Sequence, residues 1–163
     1  MLKYTKGNLL DLSEQGEFDI IVHGCNCQNT MGSGIAKEIR ERYPVAYRAD
    51  TNMHKRALNP ADLLGNYSWH VGNQSYKSGV RFTIVNAYTQ LHYEPRGVDH
   101  FEYESFALIL RKLAVVCPDK RFGFPYIGMG LAGGDKDRII AMLEDFAEKI
   151  SAQGGSVTLV EFG

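Results

Sequence analysis

Residues 18–36 read Phe-Asp-Ile-Ile-Val-His-Gly-Cys-Asn-Cys-Gln-Asn-Thr-Met-Gly-Ser-Gly-Ile-Ala, and the fold is read outward from them. Phe18 to Val22 is an apolar run rich in β-branched residues, the pattern of a buried strand. His23 to Asn29 is a polar segment where that strand is expected to end. Gly32-Ser33-Gly34 then opens a helical pattern that runs to Tyr43. Strand, polar turn, glycine-rich turn and helix together bring backbone N–H groups close to a phosphate. Glycine lets a ligand lie directly on the backbone because no Cβ stands in the way.

A second segment echoes the first. Residues 122–134 read Phe-Gly-Phe-Pro-Tyr-Ile-Gly-Met-Gly-Leu-Ala-Gly-Gly, and Asp135 opens another helical pattern. In an open α/β sheet, ligands bind at the carboxyl ends of the strands. Two strand–glycine loop–helix units side by side would clamp a diphosphate.

The remaining chain fits around these units. Strands are expected over 2–6, 18–23, 63–71, 80–89, 121–127 and 157–162. Helices are expected over 9–14, 35–43, 46–57, 101–116 and 135–151. Pro44 is expected to end the second helix, and residues 72–79 to form a polar hairpin-type loop. Strands and helices alternate late in the chain, so the expected fold is α/β. It is a three-layer α/β/α sandwich on a central mixed, largely parallel sheet. At 163 residues the chain is read as one domain, 1–163.

The net charge is −1, which argues against a general nucleic-acid binder. It leaves room for a small anion, since backbone N–H groups can supply positive potential. Cys25, Cys27 and Cys117 make an odd set with no disulfide framework. The amino terminus lacks a signal-peptide apolar region, and no apolar run approaches membrane-spanning length. A reduced cytoplasmic protein without membrane partners, acting as a monomer, is expected.

Several residues carry candidate chemistry. His23 is read either as a general base or nucleophile toward phosphorus, or as a histidine hydrogen-bonded into the sheet. Asn26 suits a ribose hydroxyl or an attacking water, or simply forms the turn. His23-x-Cys25-x-Cys27 lacks a matching second half for a metal site, and no metal or cofactor is expected. No cysteine is followed six positions later by arginine, so a cysteine phosphatase is excluded. Asp135 and Asp137 open a helix, which favours capping, with a catalytic role as the alternative. Gly-x-x-x-x-Gly-Lys-Ser/Thr is absent, and the near-match at Gly128, Gly130 and Gly133 lacks the acidic partner of a dinucleotide fingerprint. Tyr88, Tyr93 and Phe162 are candidates for stacking on a base.

These residues resemble the macrodomains, which bind ADP-ribose. Lys6-Gly7-Asn8-Leu9-Leu10 is similar to the motif after the family's first strand. Ile21-Val22-His23-Gly24-Cys25-Asn26 resembles its Ile-Val-Asn-Ala-Ala-Asn motif, and Gly32-Ser33-Gly34-Ile35-Ala36 its Gly-Gly-Gly-Val-Ala loop. Pro125 to Gly133 looks like its second phosphate loop. The resemblance implies that Asn8, with Leu9 beside it, holds the adenine amine and Asn26 the distal ribose. Cys25 would adjoin them. Gly32, Ser33, Gly34 and Ile35 would wrap the diphosphate and distal ribose together with Gly128, Met129, Gly130, Leu131 and Ala132.

Departures from the pattern point to a branch. Lys6-Gly7-Asn8 with His23-x-Cys25-Asn26-Cys27 is similar to the fungal-type ADP-ribose 1″-phosphate phosphatases. In that branch the matching histidine is held to be catalytic. The resemblance thus implies hydrolysis of ADP-ribose 1″-phosphate, with His23, Asn26 and Asp135 as the catalytic candidates. Ala132 stands where the second loop usually carries phenylalanine. In another branch a lysine removes ADP-ribose from glutamate or DNA bases; here Gln90 follows Val85-Asn86-Ala87-Tyr88-Thr89, and an amide is no nucleophilic amine. A reader of free or macromolecule-linked ADP-ribose, and an ADP-ribosyl hydrolase or deacetylase using Asn26 and an aspartate, are the alternatives.

Overall fold

The computed structural model describes residues 1–32, 34–70, 79–92, 100–130 and 132–163. In chain order the elements are β1 (Leu2–Lys6), α1 (Leu9–Glu14), β2 (Ile20–Asn26), α2 (Gly34–Arg42) and α3 (Pro44–Arg56). A 3₁₀ turn (Pro60–Leu63), β3 (Tyr67–Trp69), β4 (Thr83–Gln90), α4 (Tyr103–Val116), β5 (Arg121–Phe124), α5 (Lys136–Ala152) and β6 (Ser156–Glu161) follow.

The six strands form one sheet in the order β1-β6-β5-β2-β4-β3. Every pairing is parallel except β3 with β4. Central strands are buried on both faces, which explains their continuous apolar runs. Ile20 and Val22 of β2 pack with Phe106 and Leu113 of α4 and Leu143 and Phe146 of α5. Ile21 and Cys25 face the other way, onto Leu10 of α1, Ile39 of α2 and Ala46 of α3. The result is three layers, with α4 and α5 on one face and α1, α2 and α3 on the other. No helix among the described residues is long and apolar enough to cross a membrane.

As expected, the second helix ends before Pro44, with α2 stopping at Arg42; Pro44 itself opens α3, where its missing N–H has no helical partner to lose. Two expectations are corrected. Of the strand expected over 63–71, the structure shows Tyr67–Trp69 as strand and Leu63 in the 3₁₀ turn, while Val71 lies outside the described residues. β2 starts at Ile20 and continues through His23 to Asn26, so the polar segment from His23 belongs partly to the sheet. The expected loop over 72–79 lies outside the described residues except for Gly79.

From β2 the chain passes to β4 on one side, whereas β5 pairs on the other. The carboxyl ends of β2 and β5 therefore flank a point where strand order reverses. Such a point leaves a crevice open above the sheet.

Candidate functional site

A cleft of roughly 330 Å³ occupies that crevice, within the size range of small-molecule sites. Its walls are Cys25 and Asn26 from the end of β2, Gly32 and Gly34–Ala36 from the first glycine loop, and Pro125–Gly128, Gly130 and Ala132 from the second. Asp50, Thr89 and Gln90 complete the lining. Among the described residues that line the cleft, none is lysine or arginine.

Positive potential therefore comes from the backbone. α2 begins at Gly34, has no acidic residue in its first turn, and points its amino-terminal N–H groups at the cleft through Gly34, Ile35 and Ala36. Unpaired N–H groups and the helix dipole both favour an anion there. The loop that delivers α2 is held from outside. Tyr47 donates from its hydroxyl to the Asn29 carbonyl at 3.2 Å, and Thr51 Oγ1 to Asn29 Oδ1 at 3.2 Å. Arg40 donates to the Thr30 carbonyl at 2.9 Å and stacks on Tyr47. Asn29 and Met31 both take positive φ, a conformation this bracing maintains.

The second loop is folded on itself. The Gly134 N–H donates to the Gly128 carbonyl at 2.7 Å, and the Gly133 N–H to the Gly130 carbonyl at 3.0 Å. Gly128 has φ +74°, and a Cβ there would lie 2.4 Å from the Phe101 ring. Only glycine meets both conditions. Gly130 has open space in place of a Cβ.

Asn26 is engaged twice in its own turn: Nδ2 donates to Thr30 Oγ1 at 2.9 Å and Oδ1 accepts from the Gln28 N–H at 2.8 Å. It still lines the cleft. Cys25 lines the cleft beside it, but burial and the Asp50 carboxylate hold its thiol well above the ordinary cysteine range. The same causes push Cys27 up to about 12. Both are thiols, not thiolates, at neutral pH. The described residues contain no group of three or more His, Cys, Asp and Glu side chains that could hold a metal ion.

His23 is placed differently from the expectation that it meets a reacting phosphate. It is 1% exposed and does not line the cleft. Its Nε2 lies 2.6 Å from Asn86 Oδ1, beneath Cys25. The reason is register: β2 runs three residues past His23, so its side chain falls inside the α3-side layer. Burial lowers its pKa to about 4, against the partly compensating Asn86 bond.

Other expected residues are also elsewhere. Asn8 caps α1: its Oδ1 accepts from the Leu10 and Asp11 N–H groups, both at 3.0 Å, which leaves that oxygen engaged rather than open to an adenine amine. Neither Asn8 nor Leu9 lines the cleft, and Leu9 is buried against the sheet. Asp135 is the exposed cap of α5, accepting from the Arg138 N–H at 3.1 Å, and it too is absent from the lining. Met129 packs on the core instead of lining the cleft. Tyr88 is fully buried and cannot stack on a base, whereas Phe162 is exposed. Ser33, Leu131 and Tyr93 lie outside the described residues.

Sequence reasoning missed Asp50 and Thr89. Asp50 lies in a helix read only as polar, yet Ala46, Asp50 and His54 recur every four residues on one face. With Ala46 buried, that spacing is the signal that Asp50 faces inward.

No family model matches the chain. A phage T4 protein described as an uncharacterised 17.5 kDa protein of the tk-vs intergenic region is 30% identical over 156 residues, covering 92% of each chain. An ADP-ribose 1″-phosphate phosphatase of Meyerozyma guilliermondii is 34% identical over 65 residues. That match covers 39% of this chain and 37% of the yeast protein's length. Among solved structures, the macrodomain of Mycobacterium tuberculosis DarG superposes with a TM-score of 0.76 at 22% identity, covering 99% of this chain and 97% of that one. Thermosipho africanus DarTG in complex with ADP-ribose gives 0.70 at 15% identity, covering 91% of this chain and 39% of that one.

Proposed function

This chain belongs to one family with the phage T4 17.5 kDa protein and has the macrodomain fold, and from that premise we propose that it binds ADP-ribose and hydrolyses ADP-ribose 1″-phosphate. The observation that carries the binding is the cleft itself. Two glycine loops and a helix amino terminus meet at a strand-order reversal, with no basic side chain among the described lining residues. A diphosphate laid between residues 32–36 and 128–132 would be held by backbone N–H groups. Asn26 would border the distal ribose. The solved complex of a neighbour of the same fold with ADP-ribose supports this ligand.

The phosphatase activity is supported by the local similarity to fungal enzymes described by that activity. The reacting phosphate would sit beside the distal ribose, against the first loop and the amino terminus of α2. Products would be ADP-ribose and inorganic phosphate, with water adding to phosphorus as the bond from phosphorus to O1″ breaks. The working unit is residues 1–163 as a monomer, with ADP-ribosylated macromolecules as a further ligand class.

A non-catalytic binder is the second reading, and two placements favour it: His23 does not line the cleft, and the Cys25 and Cys27 thiols are protonated. Gln90 does line the cleft, and its amide does not replace a nucleophilic lysine. Phosphate release from ADP-ribose 1″-phosphate, measured on a sample that binds ADP-ribose, separates the readings. Catalytic release with equimolar ADP-ribose is expected. Binding without release would transfer the assignment to the binder.

A further inference from the structure

Asp50 presents an unsolved requirement inside the fold. It is 1% exposed, it lines the cleft, and its Oδ2 is buried without a hydrogen-bond partner among the described residues. A buried carboxylate oxygen left bare is costly and calls for an explanation.

The other oxygen, Oδ1, is engaged by Tyr88. The Tyr88 hydroxyl donates to it at 2.6 Å, and His54 Nε2 lies 3.2 Å away. Behind Tyr88 the donors form a directed series. Asn86 Nδ2 donates to the Ala46 carbonyl at 2.9 Å, which can only accept, so the orientation of that carboxamide is fixed. Its second donor reaches Ser68 Oγ at 3.0 Å, and Asn86 Oδ1 receives the His23 Nε2–H at 2.6 Å. Since Tyr88 gives its proton to Asp50, Ser68 must donate to the Tyr88 oxygen at 2.8 Å. From Asn86 onward, each group donates toward the carboxylate. Such a series polarises cumulatively and stabilises a negative, accepting end.

The position of Asp50 narrows what it can meet. The Tyr88 hydroxyl that donates to it belongs to the residue paired with Cys25 in the β2–β4 register, next to Asn26. Asp50 therefore stands beside Cys25 and Asn26 at the end of β2. A carboxylate oxygen repels a phosphate and accepts from a hydroxyl. Thr89 Oγ1, also buried and without a partner among the described residues, lines the same cleft and adds a second polar group.

We propose that Asp50 accepts a hydrogen bond from a hydroxyl of the distal ribose, and that Tyr88 is the positioning residue that holds it there. This rests on the reading of the cleft as an ADP-ribose site. It assigns the discrimination between ADP-ribose and ligands that end at the second phosphate to a side chain of α3.

The test is calorimetric titration of the folded protein with ADP-ribose and, separately, with ADP, which lacks the distal ribose. Asp50→Asn keeps the shape and removes the charge. Its affinity for ADP-ribose is expected to fall at least about tenfold, as for loss of a hydrogen bond to an ionised group. Its affinity for ADP is expected to stay within about twofold of the wild type, since ADP makes no contact with Asp50. Tyr88→Phe is expected to lower the ADP-ribose to ADP affinity ratio about threefold, the effect of one lost hydrogen bond. Equal ADP-ribose affinity in Asp50→Asn and the wild type would overturn the proposal, as would an equal loss for both ligands. If Asp50→Asn does not fold, an unchanged ratio in Tyr88→Phe overturns it. A wild type that binds neither ligand would overturn the ADP-ribose reading itself, a result distinct from failure of Asp50 alone.

Discussion

His23 illustrates how a residue can sit in the expected motif and do different work. The sequence places it at the expected end of β2; the structure carries the strand three residues further and buries the ring. Its pKa of about 4 lies below the ordinary value of 6.5 because burial disfavours the imidazolium. The unfolded chain therefore binds this proton first. The stabilisation is complete above pH 6.5 and is lost as pH falls toward 4, by on the order of 3 kcal/mol. Denaturant unfolding at pH 7 and pH 4.5 should show a larger loss for the wild type than for His23→Gln. Proton NMR of the His23 ring should show no titration above about pH 5. Titration near 6.5 would contradict the burial. What the sequence could not reveal is the neighbour: Asn86 is 63 positions away, and only the β2–β4 register brings it opposite His23.

At the scale of elements, the two glycine loops were legible because glycine spacing between a strand pattern and a helix pattern is a local signal. Which glycines serve the fold and which leave room for a ligand was not. Gly128 has positive φ and faces Phe101, a contact 27 positions away in sequence, whereas Gly130 faces open space. Gly128→Ala should cost roughly 2–4 kcal/mol through strain and overpacking. Gly130→Ala should unfold within about 0.5 kcal/mol of the wild type while weakening ADP-ribose binding by about tenfold. Thermal melts and calorimetry on the pair check this, and equal destabilisation by both would contradict it. Asp135 and Asn8 belong to the same scale. Both sit at helix starts, and both side chains are used as caps. Capping was visible for Asp135 from its position before a helical run. For Asn8 the family resemblance suggested a ligand contact instead.

For the whole molecule, alternation of strands and helices was enough to read a largely parallel α/β/α sandwich. The strand order was not readable, because β5 pairs with β2 across about a hundred residues of intervening chain. That order is what creates the cleft: two strand ends flank a reversal, and both glycine loops leave from it. Asp50 enters from a helix that no motif marked, and only packing of α3 over β3 and β4 brings it in. The site is thus a product of topology more than of any one motif.

The most direct measurement is amide chemical-shift mapping of the isotope-labelled protein during titration with ADP-ribose. Saturable shifts concentrated at residues 24–26, 32–36, 50, 89–90 and 125–132 are predicted. Absence of shifts at millimolar ligand would contradict the account. So would shifts confined to the separate groove between α3 and β3 lined by Arg48, Arg56 and Trp69.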